Sequence, residues 1–383
     1  MFFKDLDEHM NTHQTSSKKR LCFLIQSHYS HTMGGVESQA KLVIESLLRQ
    51  EYFDIYYLCR NTDPGFIPAG YKIEKIGNFL GKYFLFFDFF NLYRTLKRIK
   101  PDVIYQNGGS GYTGIAALYV KCCGARFIWH IASNSNLKPQ NRNNFKTTLK
   151  NSIDQVFLNY GIRNADVIVG QSKQQEDLLQ SRFGRICDEF IPPGHPLPDN
   201  DIVKSKDIVV LWVANFRAIK RPELFVDLAK CFQNKPGVSF VMIGGTIGPM
   251  SQFKKLIEKI QSVSNLIYLG SVSQQEVNQR LSKGHIFVNT SLYEGFPNTY
   301  VQAWLREVPV VSLSFDPDDI LVREKIGFHS KTFEKLVSDV TTLIENKSLR
   351  EEMGKRARQY AEEKHSGDKM VEKLVKLFGL SPN

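Results

Sequence analysis

The chain has 383 residues, 50 Lys and Arg against 39 Asp and Glu, and a formal net charge of +11. That length calls for two domains rather than one core, and 42% hydrophobic against 23% charged residues excludes a disordered chain. Six cysteines without a Cys-x-x-Cys pair exclude a disulfide scaffold and a cysteine-based zinc site, and no run approaches the ~20 apolar residues of a bilayer span.

Residues 1–20 read as a polar tail without the apolar centre of a signal peptide. From Leu21 onward, short apolar runs alternate with helical patterns. Leu21–Ser27 is a buried-strand run, followed by Gly34-Gly35 and a helix over 36–48 with Val36, Ala40, Val43, Ile44 and Leu47 on one face. Further strands are predicted at 54–59, 103–106, 126–131 and 166–169. Residues 191–198 (IPPGHPLP) hold four prolines, which fix φ and remove donors, so 192–198 is a linker. The rhythm then restarts with strands at 208–214, 238–243, 266–269, 285–289 and 308–312, and helices at 222–232, 252–262, 274–281 and 297–306. Residues 332–378 are charged and mostly helical. The reading is α/β, with two Rossmann-like domains at 21–191 and 199–364.

In open α/β sheets ligands gather beyond the carboxyl ends of the strands, so the residues after each strand are the candidates. Gly34 and Gly35 stand where a helix begins and let a backbone approach an anion, although the dinucleotide spacing is absent. His130 ends a strand. Arg217, Lys220 and Arg221 precede a helix whose dipole disfavours cations there, unless an anion sits among them. The run 287–304 ends a strand, places Glu294 and Gly295 in a turn, and opens a helix at Pro297. The amides of Asn298, Thr299 and Tyr300 would then suit a phosphate. Two Asp-x-Asp triplets occur, Asp5-Leu6-Asp7 in the tail and Asp316-Pro317-Asp318 in a turn, and neither is taken as a metal site.

In this order the motifs resemble the family-4 retaining glycosyltransferases. The resemblance rests on Met33–Glu37 (MGGVE), 164–172 (NADVIVGQS), 191–194 (IPPG), 294–298 (EGFPN) and 309–312 (PVVS). It implies the GT-B fold: two domains facing each other across a cleft, with residues 365–383 forming a helix that packs back on the first domain. It also implies roles. His130 would line the donor-sugar and phosphate region, Lys220 would contact the diphosphate, and Glu294 would bind sugar hydroxyls. Gly34, Gly35, Arg217, Gly295, Phe296, Pro297, Asn298 and Thr299 would complete the donor site. Two positions depart from the pattern: Gln302 stands in place of the second Glu of Glu-x7-Glu, and Asn215 in place of an Arg. The implied reaction is metal-independent glycosyl transfer with retention, using a nucleotide-sugar as substrate and no cofactor, UDP-sugar slightly favoured over GDP-sugar.

The acceptor expected is a glycan or lipid-linked saccharide for cell-surface polysaccharide synthesis, in the cytoplasm or peripheral on the inner face of the membrane. Residues 79–100 carry eight Phe or Tyr flanked by Lys and Arg, a pattern that fits either an anionic membrane surface or a core helix. The polar loop 134–150 is a second acceptor-side candidate. A nucleotide-sugar epimerase of the same fold stays open as an alternative. So does a basic nucleic-acid-binding protein, although no nucleic-acid motif is recognisable and none is expected as a partner.

Overall fold

The computed structural model describes residues 18–77, 85–138, 145–198, 202–246 and 253–379. The tail to residue 17, the first part of the aromatic stretch (79–84) and residues 139–144 of the polar loop lie outside the described residues.

Two parallel sheets form. The first orders its strands β3-β2-β1-β4-β5-β6-β7, with β1 at Lys19–Leu24, β2 at Phe53–Cys59, β3 at Lys72–Lys75, β4 at Val103–Asn107, β5 at Arg126–His130, β6 at Val167–Gly170 and β7 at Glu189–Phe190. The second orders β10-β9-β8-β11-β12-β13, with β8 at Ile208–Val213, β9 at Val238–Ile243, β10 at Leu266–Tyr268, β11 at Ile286–Asn289, β12 at Val310–Ser312 and β13 at Gly327–His329. Central strands such as β1 and β11 are buried on both faces, which is why they read as unbroken apolar runs. Three strands carry no such signal: β3 (KIEK), β7 and β13. All three are sheet edges, short and partly exposed, so they lack an apolar run.

Each sheet is covered on both faces. In the first domain the helix Gly35–Gln50 buries Ala40, Val43, Ile44 and Leu47 on one face. The helices Leu85–Ile99, Gly111–Cys123 and Phe145–Asn164 cover the other. Within the aromatic stretch, Phe89, Leu92, Leu96 and Ile99 are core residues, whereas Phe90 is exposed with the Arg94 guanidinium 5.6 Å from its ring centre. The described half of that stretch is therefore a core helix with one exposed aromatic edge.

The chain crosses between domains twice. On the first crossing the proline-rich segment runs beside the second: His195 N–H donates to His365 O and Gly367 N–H to His195 O, both at 2.9 Å. The last helix, Gly367–Leu377, then returns to the first domain and buries Met370, Val371, Leu374 and Val375. Phe378 follows, with its ring 5.5–6.4 Å from those of Tyr105, Phe53 and Phe23. Each such side chain contributes about 1.5–3 kcal/mol on burial, so this helix ties the domains together by more than its connection.

Candidate functional site

In both sheets the strand order reverses beside the first strand, between β1 and β4 and between β8 and β11. A ligand crevice opens at the carboxyl ends of strands at such a switch point. The two crevices face each other and form one cleft of about 1410 Å³. Its walls are the loops after β1, β4, β5 and β6 on one side and after β8, β9, β10 and β11 on the other.

The loops after β8 and β11 build the densest part. Arg217 caps a 3-10 turn at Ala218–Lys220. Thr290 Oγ1 donates to Lys220 O at 2.6 Å, Leu292 N–H to Ile219 O at 2.9 Å, and Arg221 Nε to Thr290 O at 2.6 Å. These bonds set the two loops side by side, and Lys220 Nζ forms an ion pair with Glu294 in the cleft wall. Residues 74 apart in sequence thus neutralise each other. Arg221 belongs to the framework, because its guanidinium also donates to Ser314 Oγ at 2.6 Å and does not reach the cleft. Asn215 lines the cleft with its carbonyl engaged by Gly245 N–H at 3.3 Å.

The expected helix begins one residue later than read. Pro297 is its N-cap, and Asn298–Trp304 are helical. Asn298 and Thr299 line the cleft from the first turn, but the Tyr300 amide is spent on Pro297 O at 3.0 Å. Gln302 is buried one turn further on, at the cleft floor.

Asn298 does more than start a helix. Its Oδ1 accepts from Gln39 Nε2 of the first domain at 2.8 Å and from His195 Nε2 at 3.0 Å. Its Nδ2 lies against Gly35, where a Cβ would come within 2.6 Å. Gly295 pairs with Ser133 as an antiparallel bridge, and a Cβ there would stand 2.2 Å from Ala132 O. Gly35 and Gly295 are therefore required for close contact between the domains, a role distinct from approach to a ligand. Gly34, Gly35, Phe296 and Pro297 also line the cleft.

His130 is the exception among the expected site residues. It is buried and absent from the cleft wall. Its Nε2 donates to Ile191 O at 3.0 Å, which leaves Nδ1 to accept from the Tyr105 hydroxyl at 2.8 Å. Both ring nitrogens are committed to bonds that pin β4, β5 and the residue before the linker. Sequence reading missed Asn107, Ser133, Thr246, Tyr268, Ser271 and Gln274 in the cleft. Each ends a strand, follows one or starts a helix beyond one, so the rule that found Glu294 could have found them.

Burial pushes five histidines, His28, His130, His195, His285 and His365, down to about 4. Their neutral forms are held by the fold, so their contribution to stability is full above their ordinary value of 6.5 and is lost as pH falls from there toward 4. Urea unfolding at pH 7.5 and 5 is expected to show a lower midpoint at pH 5. Equal midpoints would contradict this electrostatic account.

Two parallel-sheet domains that close on a common cleft, with the last helix returned to the first domain, define the GT-B class of glycosyltransferase folds. Residues 198–360 match the family model of glycosyl transferases group 1. Sucrose-phosphate synthase from Thermosynechococcus elongatus superposes with a TM-score of 0.75 at 15% identity, covering 94% of this chain and 98% of that one. HepE of Anabaena, solved in complex with UDP and glucose, does so at 0.72 and 16%, covering 94% and 99%. In sequence, poly(ribitol-phosphate) alpha-N-acetylglucosaminyltransferase of Staphylococcus aureus (strain COL) is 25% identical over 174 residues, 44% of this chain. The chain spans 35% of that relative's length, and 45% and 58% of two others. No helix among the described residues is long and apolar enough to cross a membrane.

Proposed function

We propose that the protein is a retaining glycosyltransferase that moves a sugar from a nucleotide-sugar to a glycan or lipid-linked saccharide in polysaccharide or glycolipid synthesis. The observation that carries this reading is the Lys220–Glu294 pair in the cleft wall, beside Arg217 and the first turn of the helix Asn298–Trp304. A nucleoside diphosphate leaving group gains negative charge as it departs. Lys220, Arg217 and the amides of Asn298 and Thr299 stand together to stabilise it, so the step calls for no metal in the cleft. When the diphosphate engages Lys220, Glu294 is released to accept sugar hydroxyls. UDP is the favoured carrier, since HepE was solved with it. On the first-domain wall, Asn107, Ser133, Ser135 and Gln171 are polar and uncharged and suit a hydroxyl-bearing acceptor. The exposed Phe90 and Arg94 lie on a helix that would meet an anionic membrane carrying a lipid-linked acceptor.

A thermal-shift screen with UDP, GDP, ADP and their sugars tests the donor. At about 100 times the dissociation constant a true ligand adds roughly 2.7 kcal/mol. The absence of any shift would remove the nucleotide-sugar reading, and conversion of a nucleotide-sugar without acceptor would favour an epimerase.

In this reading Gln302, buried at the cleft, meets the ribose. Gln302→Ala is expected to weaken diphosphate binding by about 0.5–1.5 kcal/mol, the worth of a neutral hydrogen bond. Gln302→Glu should hold or improve it, because a charged acceptor binds a hydroxyl more strongly and Arg306 lies one turn away. Glu294→Gln should impair transfer while leaving binding of the bare diphosphate intact, since it frees Lys220. Calorimetry on the three variants separates these claims. Loss of diphosphate binding in Glu294→Gln would overturn this placement of the donor.

A further inference from the structure

The triplet Asp316-Pro317-Asp318 is divided by the fold. Both oxygens of Asp318 accept backbone amides of the other domain, Lys173 N–H at 2.7 Å and Gln174 N–H at 3.0 Å, so this side chain caps the helix Lys173–Phe183 across the domain boundary. Gln174 Nε2 adds a bond to Asp316 O at 3.2 Å. Asp318 is therefore committed to a contact between the domains. Asp316 is in a different state. It is 3% exposed, its Oδ1 accepts the Leu321 amide at 3.0 Å, and its Oδ2 has neither solvent nor a partner. A buried acceptor left unpaired is costly, and more so when charged.

The neighbours of that carboxylate are ligating groups. β12 and β13 are paired in parallel, with Ser312 opposite His329. Their carboxyl ends consequently bring His329 beside the loop that follows β12. Asp316, Asp319 and His329 each offer one ligand atom, and the three atoms lie within 4.8 Å of one another. One cation with metal–ligand distances of about 2.0–2.4 Å spans that separation. Asp319 is exposed, which gives an ion a way in. None of the three residues lines the cleft.

We propose that Asp316, Asp319 and His329 form a divalent-cation site outside the cleft, which steadies the loop whose Asp318 caps the first domain. Two carboxylates and an imidazole suit a first-row divalent ion such as Mn²⁺ better than Mg²⁺, which dehydrates reluctantly, with water completing the shell. The ion would compensate the buried Asp316 carboxylate and hold residues 313–319 in the form that reaches Lys173. It has no part in the transfer chemistry, so the assignment stands apart from the proposed activity.

The test uses the full chain after dialysis against a chelator. Mn²⁺ is titrated in without nucleotide, and binding is followed by calorimetry and by loss of the free-ion electron paramagnetic resonance signal. One equivalent is expected to bind saturably and to raise the melting temperature. Asp319→Asn and His329→Gln, at exposed and half-buried positions, should keep the circular dichroism of the native fold. Each should weaken binding by at least about tenfold and remove the melting shift. Absence of saturable binding up to millimolar Mn²⁺, or binding unchanged in both variants, would overturn the site.

Discussion

Replacement of Lys220 by Ala is expected to lower turnover about a hundredfold, the cost of removing one preorganised charge from a transition state, about 3 kcal/mol. The structure adds a second consequence. Lys220 is paired with Glu294, both partly buried, so the variant leaves a carboxylate facing the diphosphate with no cation between them. Diphosphate affinity should therefore fall together with turnover, and the double variant Lys220→Ala/Glu294→Gln should recover part of the affinity without the rate. Steady-state transfer rates and calorimetry on both variants check this. Turnover near wild type in Lys220→Ala would shift the charge stabilisation to Arg217. Affinity equal in the single and double variants would show that the pair does not act as a unit.

Gly295→Ala is expected to be as damaging for a different reason. Its Cβ would stand 2.2 Å from Ala132 O, a backbone atom that no rotamer change can move. Either Gly295 or the loop after β5 must retreat, and these belong to opposite domains. A displacement of the order of 1 Å at reacting groups costs about a hundredfold, so kcat/KM should fall by that order while secondary structure is unchanged. Small-angle scattering with the diphosphate bound should show a larger radius of gyration than for wild type. Wild-type activity in this variant would mean that the Ser133–Gly295 contact is dispensable for closure. Gly35→Ala should be milder, since the atom it meets is Asn298 Nδ2, the end of a side chain.

Much of this architecture is legible in the residues themselves. Runs such as LCFL at β1 and IVVLWV at β8 are apolar throughout because central parallel strands are buried on both faces. Four prolines between 191 and 198 mark the first crossing, and Glu294-Gly295-Phe296-Pro297-Asn298 announces a turn into a helix beyond a strand. These signals are local: each depends on what a few neighbouring residues can form, whatever surrounds them. The edge strands β3, β7 and β13 gave no such signal, because only pairing with a neighbour makes them strands.

The tertiary structure decided the partners. His130 ends a strand as expected, yet Tyr105 and Ile191 consume both of its ring nitrogens, and nothing near position 130 announces residues 25 and 61 positions away. Lys220 and Glu294 were each read as facing a ligand, and their pairing arises only because the loops after β8 and β11 are bonded to each other. Gly35 and Gly295 were read as glycines for a ligand, whereas the atoms that exclude a side chain there belong to the opposite domain. Hydrophobic periodicity and turn chemistry are properties of a short segment. Hydrogen-bond satisfaction and steric exclusion depend on which distant segments meet, and here that meeting is set by two sheets closing on one cleft.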